Sequence, residues 1–334
     1  MSSVLEVLAC PVPASTQDLG RYGYRHFGVP VSGALDNVSF RLANALVRNP
    51  PNAAALEMRL TGPRLRAQAP VRVALAHAEA TIECADGSRK PLPTWQSTTL
   101  AAGDILKIGT VQGGAGYLAV AGGFDVPAVL GSRATYARAG FGSLLHEGML
   151  LPVGAADLSG PEHAVMPAPT FEAGPIRVIP GPQREMFTDA AFATFISSDY
   201  NVTQEADRMG LRLAGPCLRH VAGADIVSDA VTPGAIQVPG DGRPIVLLAD
   251  CQSVGGYAKI ATVIAADLPR LGRLLPGNTL RFAVVEGEQA LAALRASEDG
   301  LAQIIAGLRP VNVGGVDLEA LYQANLVDGV IDAH

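Results

Sequence analysis

The sequence predicts a mainly β protein with a few helices, arranged as two related halves in tandem. Three observations predict this. The segment from Met58 to Arg66, MRLTGPRLR, recurs as LRLAGPCLR from Leu211 to Arg219, with six of nine positions identical. Gly (37) and Pro (24) are abundant among 334 residues, so turns are closely spaced. Between the turns, apolar residues run in short strand-like stretches, and long amphipathic helices are few.

The repeat extends beyond those nine residues. Downstream of each copy comes an Asp-Gly turn with a proline close by: Asp86-Gly87 then Pro91, and Asp241-Gly242 then Pro244. Later, AGDILKI (Ala102 to Ile108) matches PGNTLRF (Pro276 to Phe282), each a turn leading into an alternating strand. Three matches in one order point to duplication of a single fold.

The individual elements follow the same plan. Residues 35–48 predict a helix with Leu35, Val38, Leu42, Ala45 and Leu46 on one face. Strands are predicted at 71–76, 80–84, 104–109 and 116–121, then at 176–180, 244–249, 259–264 and 279–285. Thr188 to Phe195 reads as a helix, and a short helix starts after Asp267 with Pro269 in its first turn. A closed barrel of about eight strands with a covering helix would remove sheet edges and suit this turn density. Residues 1–160 form the first half. The proline-rich, aperiodic stretch 161–175 is the linker, and 176–334 form the second half with a short helical tail. That tail holds two helical patterns, LAALRA and LEALYQA, expected to pack on the second barrel.

Composition excludes several function classes. The formal net charge is −6 and no basic stripe is visible, which disfavours nucleic acid. The N-terminal apolar stretch is short and lacks a preceding basic region, and no run of about 18 apolar residues occurs. Cys10, Cys84, Cys217 and Cys251 are scattered, with no C-x-x-C pair, and the histidines show no metal-ligand spacing. A cytoplasmic protein without a metal centre is expected. Phosphate-loop, dinucleotide-fingerprint and nucleophile-elbow motifs are absent. The only lysines are Lys90, Lys107 and Lys259; the arginine excess suits bidentate contacts to carboxylates or phosphates, or reflects codon bias alone.

Two segments concentrate polar chemistry. In QDLGRYGYRHFGVPVSGALDNVSFRLAN, from Gln17 to Asn44, Ser32-Gly33 and Asp36 lie where the first helix begins. They serve as a helix cap, or as an anion site using free N–H groups at the helix N-terminus. In the second, PIVLLAD is a buried strand ending in Asp250; Cys251 to Tyr257 forms a Gly-containing turn, and Lys259 opens another apolar strand. Gly255-Gly256 would admit close backbone approach by a ligand, or simply make a hairpin turn. Polar groups on a loop held by buried strands are well placed for binding.

The stretches DLGRYGYRHFGVPVSGALD, RLANALVRNPPNAAALE, YLAVAGGFDVPAVLGSRATY, ADRMGLRLAGP and GAIQVPGDGRPIVLLADCQSVGGYAKIATVIAADL cover most of residues 16–285 in order. They resemble a family described variously as allophanate hydrolase subunit 2, biotin-dependent carboxyltransferase, the C-type subunit of 5-oxoprolinase and KipI antagonist. The resemblance implies two tandem cyclophilin-like β-barrel domains. It also implies a subunit that acts with a smaller cyclophilin-like partner (the KipI-like, B-type subunit of 5-oxoprolinase) and a ring-opening subunit. Together they would activate the lactam of 5-oxoproline with ATP and Mg²⁺ for hydrolysis to glutamate. Two alternatives stand beside it: carboxyl transfer from biotin carried on another chain to a urea-like acceptor, and non-enzymatic binding of a kinase-inhibitor protein.

Both enzymatic readings handle an N–C=O group whose oxygen gains negative charge, so the site must offer preorganised donors. On the resemblance, Arg208, Lys259 and the N–H groups near Gly255 and Gly256 would stabilise that charge. Asp250 or Asp241 would orient a ligand N–H, act as base or hold magnesium. Gln237, Gln252 and Tyr257 would fix the substrate, and His26, Ser32 and Asp36 would form a second wall near the partner. The chain departs from the family pattern at Ser253 (commonly Thr), Ala134 (usually Ser), His77-Ala78-Glu79 (a Gly-Ala-Asp-like turn) and Gly140 to Gly148.

Overall fold

Apolar alternation between closely spaced turns folds here into two barrel-like β units that share one hydrophobic cluster, with Leu35 and Phe40 on one side and Leu271 and Leu301 on the other, beside a polar seam. The computed structural model describes residues 4–311. In the first unit, Leu150–Pro152, Val4–Ala9, Arg64–Ala67, Ile105–Val111, Ala78–Glu83 and Arg89–Leu92 form one sheet in that spatial order. Ser15–Gln17, Ala55–Met58, Gly116–Val120, Val71–Ala76 and Ser97–Leu100 form a second. Inward-facing residues including Leu5, Val7, Leu65, Leu106 and Leu118 are fully buried between them. Val71–Ala76 and Ala78–Glu83 lie in different sheets yet are separated by His77 alone, whose φ of 57° carries the chain round the corner.

The second unit closes on itself. Its eight strands run Thr279–Leu280, Tyr200–Val202, Gly210–Ala214, Ile245–Leu247, Ala235–Gln237, Lys259–Val263, Ile176–Pro180 and Phe282–Val284. The first and last members are one chain segment interrupted only at Arg281, so the sheet has almost no free edge. Phe195 stacks on Phe282 at 4.6 Å inside it, with Tyr200 alongside. A separate two-stranded ribbon, Asp225–Ala230 with Val254–Tyr257, lies over this barrel.

The sequence repeat has a structural counterpart. Gly62 and Gly215 both precede a proline after a strand, and neither has room for a side chain. A Cβ would lie 2.4 Å from Ile108 in the first and 2.6 Å from the Tyr200 ring in the second. Further on, Gly103 (φ 90°) and Gly277 (φ 89°) occupy matching left-handed turns. The residue after each turns back: Asp104 accepts from Ala101 N–H at 2.8 Å, and Asn278 from Leu275 N–H at 2.8 Å.

The helices form where the periodicity places them. Helix α1 is Asn37–Leu46, capped by Asp36, and α2 is Asp189–Ser197, capped by Thr188. Helix α3 is Leu268–Gly272, with Pro269 in its first turn, and α4 is Gly287–Ala306, opened by a Glu286/Gln289 capping box. The tail differs from expectation. LAALRA belongs to one 20-residue helix, and that helix packs against α1 as well as the Ala265–Asp267 turn, with Arg41 and Glu298 paired at 2.8 Å. LEALYQA lies outside the described residues. The stretch 161–175 contains a short strand, His163–Ala164, paired with Arg309–Pro310. No described helix is long and apolar enough to cross a membrane.

The two units meet without slack at Gly114, whose N–H donates to Arg273 O at 2.7 Å. A Cβ there would lie 2.4 and 2.5 Å from the Gly272 and Leu274 carbonyl oxygens. Gly114→Ala is therefore expected to push the units apart and cost about 1–3 kcal/mol. Chemical denaturation reads this directly, and an unchanged midpoint would show that the seam yields freely.

Candidate functional site

Arg208 sits where the two barrels touch. Its Nε and Nη2 hold Asp250 at 2.9 and 3.1 Å, its Nη1 holds Glu57 of the first barrel, and Nη2 also donates to Gly33 O at 2.7 Å. The other Glu57 oxygen accepts from Tyr117 OH and Leu35 N–H at 2.8 and 2.9 Å. Burial alone would lower the Arg208 pKa, but the Glu57 and Asp250 carboxylates outweigh it and raise the value. Four of the five N–H donors of this guanidinium are thus committed to the fold.

Next to this cluster Asp36 is fully buried at the head of α1. It accepts from Ser39 N–H at 3.1 Å and Ser39 Oγ at 2.6 Å. Arg273 Nε lies 2.8 Å away, an ion-pair contact out of hydrogen-bond alignment. His77 Nε2 lies 2.8 Å from Ser39 Oγ, and its ring is packed by Trp95 and Phe171. Burial pushes the Asp36 pKa up, yet the His77 imidazole, the Arg273 charge and the Ser39 donors more than offset this and lower it.

A cavity of about 400 Å³ opens beside the start of α1, between the barrels. Tyr22, Arg25, Ser32, Asn37 and Thr232 supply its polar lining, and Leu19, Val31, Leu248 and Pro269 are among its apolar walls. Arg25 crosses to the second barrel, where Nη2 donates to the Val231 carbonyl and to Gln252 O at 3.0 Å.

A second cluster lies under the ribbon. Lys259 and Gln237 are cross-strand partners, each 3% exposed. Lys259 Nζ donates to Asp229 Oδ2 at 2.7 Å, and its backbone N–H reaches Gln183 Oε1 at 3.3 Å. Lys259 holds the Asp229 carboxyl below its ordinary range, helped by Ala230 N–H. Gln237 Nε2 is buried without a hydrogen-bond partner, and it occupies the space beside Gly255, where a Cβ would approach it to 2.4 Å.

The predicted residues therefore separate into distinct places. Lys259, Gln237 and Gly255 converge, with Gly256 next along the ribbon strand. Arg208 and Asp250 converge as well, but their charges are spent on one another and on Glu57. Both residues tie the barrels together and also line a cavity of about 270 Å³ with Arg59, Tyr136 and Met209. Asp241 is on an exposed turn, where it accepts from Arg243 N–H at 3.0 Å. It shares with Tyr257 a cavity of about 310 Å³ that neither Lys259 nor Asp229 lines. His26 is exposed and lies against Phe27 at 3.9 Å. Gln252 contributes its carbonyl to Arg25, and Ser32 lines the interbarrel cavity. Gly255-Gly256 is not a hairpin turn; both glycines lie within the ribbon strand Val254–Tyr257. Sequence reasoning missed Glu57, Arg25, Asp229 and Gln183. Arg25 was legible as a cation in the segment singled out before α1; the others carry no local signal. Among the described residues no group of three or more His, Cys, Asp or Glu side chains could hold a metal ion.

Comparison with known proteins gives this geometry a context. The family model for the carboxyltransferase domain, subdomain A and B, matches residues 27–284. The chain belongs to that family. The C-type subunit of 5-oxoprolinase from Escherichia coli is 34% identical over 299 residues, covering 87% of this chain and 94% of that protein. The solved urea carboxylase of Kluyveromyces lactis superposes with a TM-score of 0.81 at 29% identity, over 95% of this chain and 30% of that one. The crystal structure of TTHA0988 gives 0.76 at 37% identity, over 84% of this chain and 56% of that one. The mainly β, nearly closed barrel architecture is thus that of a carboxyltransferase domain. The family match spans the Arg208 seam, α1 and the Lys259 cluster.

Two outcomes follow for the seam. Arg208→Met leaves Glu57 and Asp250 buried and unpaired, and is expected to cost roughly 3–5 kcal/mol in urea unfolding. The Asp36 carboxyl titrates lower folded than unfolded, so its stabilisation is complete above roughly pH 4 and is lost as pH falls through the folded value. Asp36→Asn is expected to melt lower at neutral pH and to lose less on acidification; melting curves that shift in parallel with wild type would remove Asp36 from the acid response.

Proposed function

We propose that the chain is the C-type subunit of an ATP-dependent 5-oxoprolinase, activating the lactam of 5-oxoproline together with a smaller partner subunit. Extent carries this reading. The E. coli 5-oxoprolinase subunit is matched over 94% of its own length, whereas the chain spans only 30% of the yeast urea carboxylase.

The Lys259 cluster supplies suitable chemistry. Phosphorylating a lactam oxygen requires donors that meet the charge gathering on that oxygen, held in place beforehand. Lys259 brings an ammonium fixed by Asp229, and Gln237 brings an unpaired amide N–H₂ from the neighbouring strand. A buried amide donor left without a partner costs about 1–3 kcal/mol, which a ligand oxygen would recover. ATP and Mg²⁺ belong, in this reading, to the assembled complex. The close superposition on urea carboxylase over 95% of the chain supports a second reading, carboxyl transfer to a urea-like nitrogen with biotin carried on another chain. The same two donors would serve the ureido oxygen.

Co-expression with the small partner and ring-opening subunits, followed by an ATPase assay, separates the readings. Stimulation by 5-oxoproline is expected, and stimulation only by urea with carboxybiotin would reverse the order. Lys259→Met keeps the buried stem and removes the charge. It is expected to lower turnover of the complex by about a hundredfold or more in a chain that still folds, as circular dichroism would read.

A further inference from the structure

The geometry points to the interbarrel cavity as a binding site for a small monocarboxylate carrying an apolar or cyclic body. Two side-chain donors there lack partners. Ser32 is only 4% exposed, lines the cavity, and its Oγ makes no hydrogen bond among the described residues. Arg25 lines the same cavity with a buried Nη1 that meets no hydrogen-bond acceptor at bonding distance, its guanidinium lying by the Cys251 thiol. Asn37, the first residue of α1, also lines the cavity, while the Asp36 cap takes the Ser39 N–H of that turn.

The charge balance selects an anion. Arg25 is held by two carbonyl oxygens, of Val231 and Gln252, and among the described residues it pairs with no carboxylate. Its positive charge is thus fixed in place and left uncompensated, in contrast to Arg208. The Asp36 carboxylate at the same helix end is turned to Ser39 and Arg273, so it does not neutralise the cavity. One guanidinium, with the Ser32 and Thr232 hydroxyls in the same lining, matches the two oxygens of a carboxylate. They fall short of a polyphosphate, which takes several cations or a glycine-rich loop. Apart from Tyr22 and Asn37 the remaining wall is apolar, and about 400 Å³ accommodates a small ring. This deepens the subunit reading, on which it rests only for the choice of 5-oxoproline as a probe.

Calorimetric titration of the full chain, and of the assembled complex, with 5-oxoproline, cyclopentanecarboxylate, neutral 2-pyrrolidinone and inorganic phosphate tests the site. Both carboxylates are expected to bind and the neutral lactam not to. Arg25→Gln and Ser32→Ala, each checked for an unchanged melt, are expected to weaken carboxylate binding by about tenfold or more. If Arg25→Gln unfolds, Ser32→Ala decides alone. Absence of carboxylate binding to both chain and complex, equal binding of 2-pyrrolidinone, preference for phosphate, or wild-type affinity in the folded variants would overturn the site. A complex that still hydrolyses ATP with 5-oxoproline at unchanged KM in both variants would overturn the site while leaving the subunit reading intact.

Discussion

One guanidinium sets the geometry on which everything else depends. Arg208 lies between Glu57 from the first barrel and Asp250 from the second, positions far apart in the chain. Two carboxylates brought together out of water would repel and protonate; an arginine between them makes the contact tolerable, and only in a narrow range of distances. The same side chain holds Gly33 O, and the neighbouring Ser32 N–H reaches Ala249 O at 2.9 Å. The entry to α1 is therefore tied to the second barrel at two successive residues. Moving the seam would move Ser32, Asp36 and the interbarrel cavity as a unit.

Much of this fold was legible because its signals are local. Gly-Pro turns, Asp-Gly turns and the glycines at φ near 90° need only neighbouring residues to declare themselves, and all three lie where the repeat put them. Helix α1 was legible in type but not in face: Phe40 and Ala43 are as deeply buried as Leu42 because α4 and the five-stranded sheet cover opposite sides. The ribbon was not legible. Asp225–Ala230 is almost wholly exposed, with Val227 at 93%, so burial could not mark it as a strand. Its partner contains Gly255-Gly256, which local propensity assigns to a turn. The candidate site shared this limit. Lys259 stood out as a rare lysine, whereas Asp229 and Gln183 become partners only through long-range pairing.

Departures from the family pattern become intelligible as backbone positions. Ala134 serves through its carbonyl, which accepts from Arg21 Nη2 at 2.7 Å, so loss of a hydroxyl leaves that bond untouched. Ser253 likewise acts through its carbonyl, taking Val231 N–H at 3.1 Å. His77 is different. It holds a left-handed conformation that a glycine would adopt without strain, and it offsets that cost with the bond to Ser39 and packing against Trp95 and Phe171. In the loop 140–148, Phe141 lies under Arg21 at 4.9 Å and bridges back to Tyr136. An aromatic contact there holds the arginine segment that precedes α1.

The two polar centres are separated by the ribbon, and the ribbon cannot hold itself. A pair of short strands with little burial is marginal in water, so its position depends on what grips it. On one side Arg25, from the first barrel, holds the carbonyls of Val231 and Gln252. On the other, Lys259 and Gln183, from the second barrel, hold Asp229. Asp229 and Val231 are two residues apart and lie against Gly255 and Ser253 on the opposite strand. The cover over Lys259 and Gln237 is thus anchored at one end by the very guanidinium that faces the interbarrel cavity. Any rotation of one barrel against the other changes the length of that tether, which is why a rigid seam at Arg208 and Gly114 is a condition for a constant geometry at Lys259.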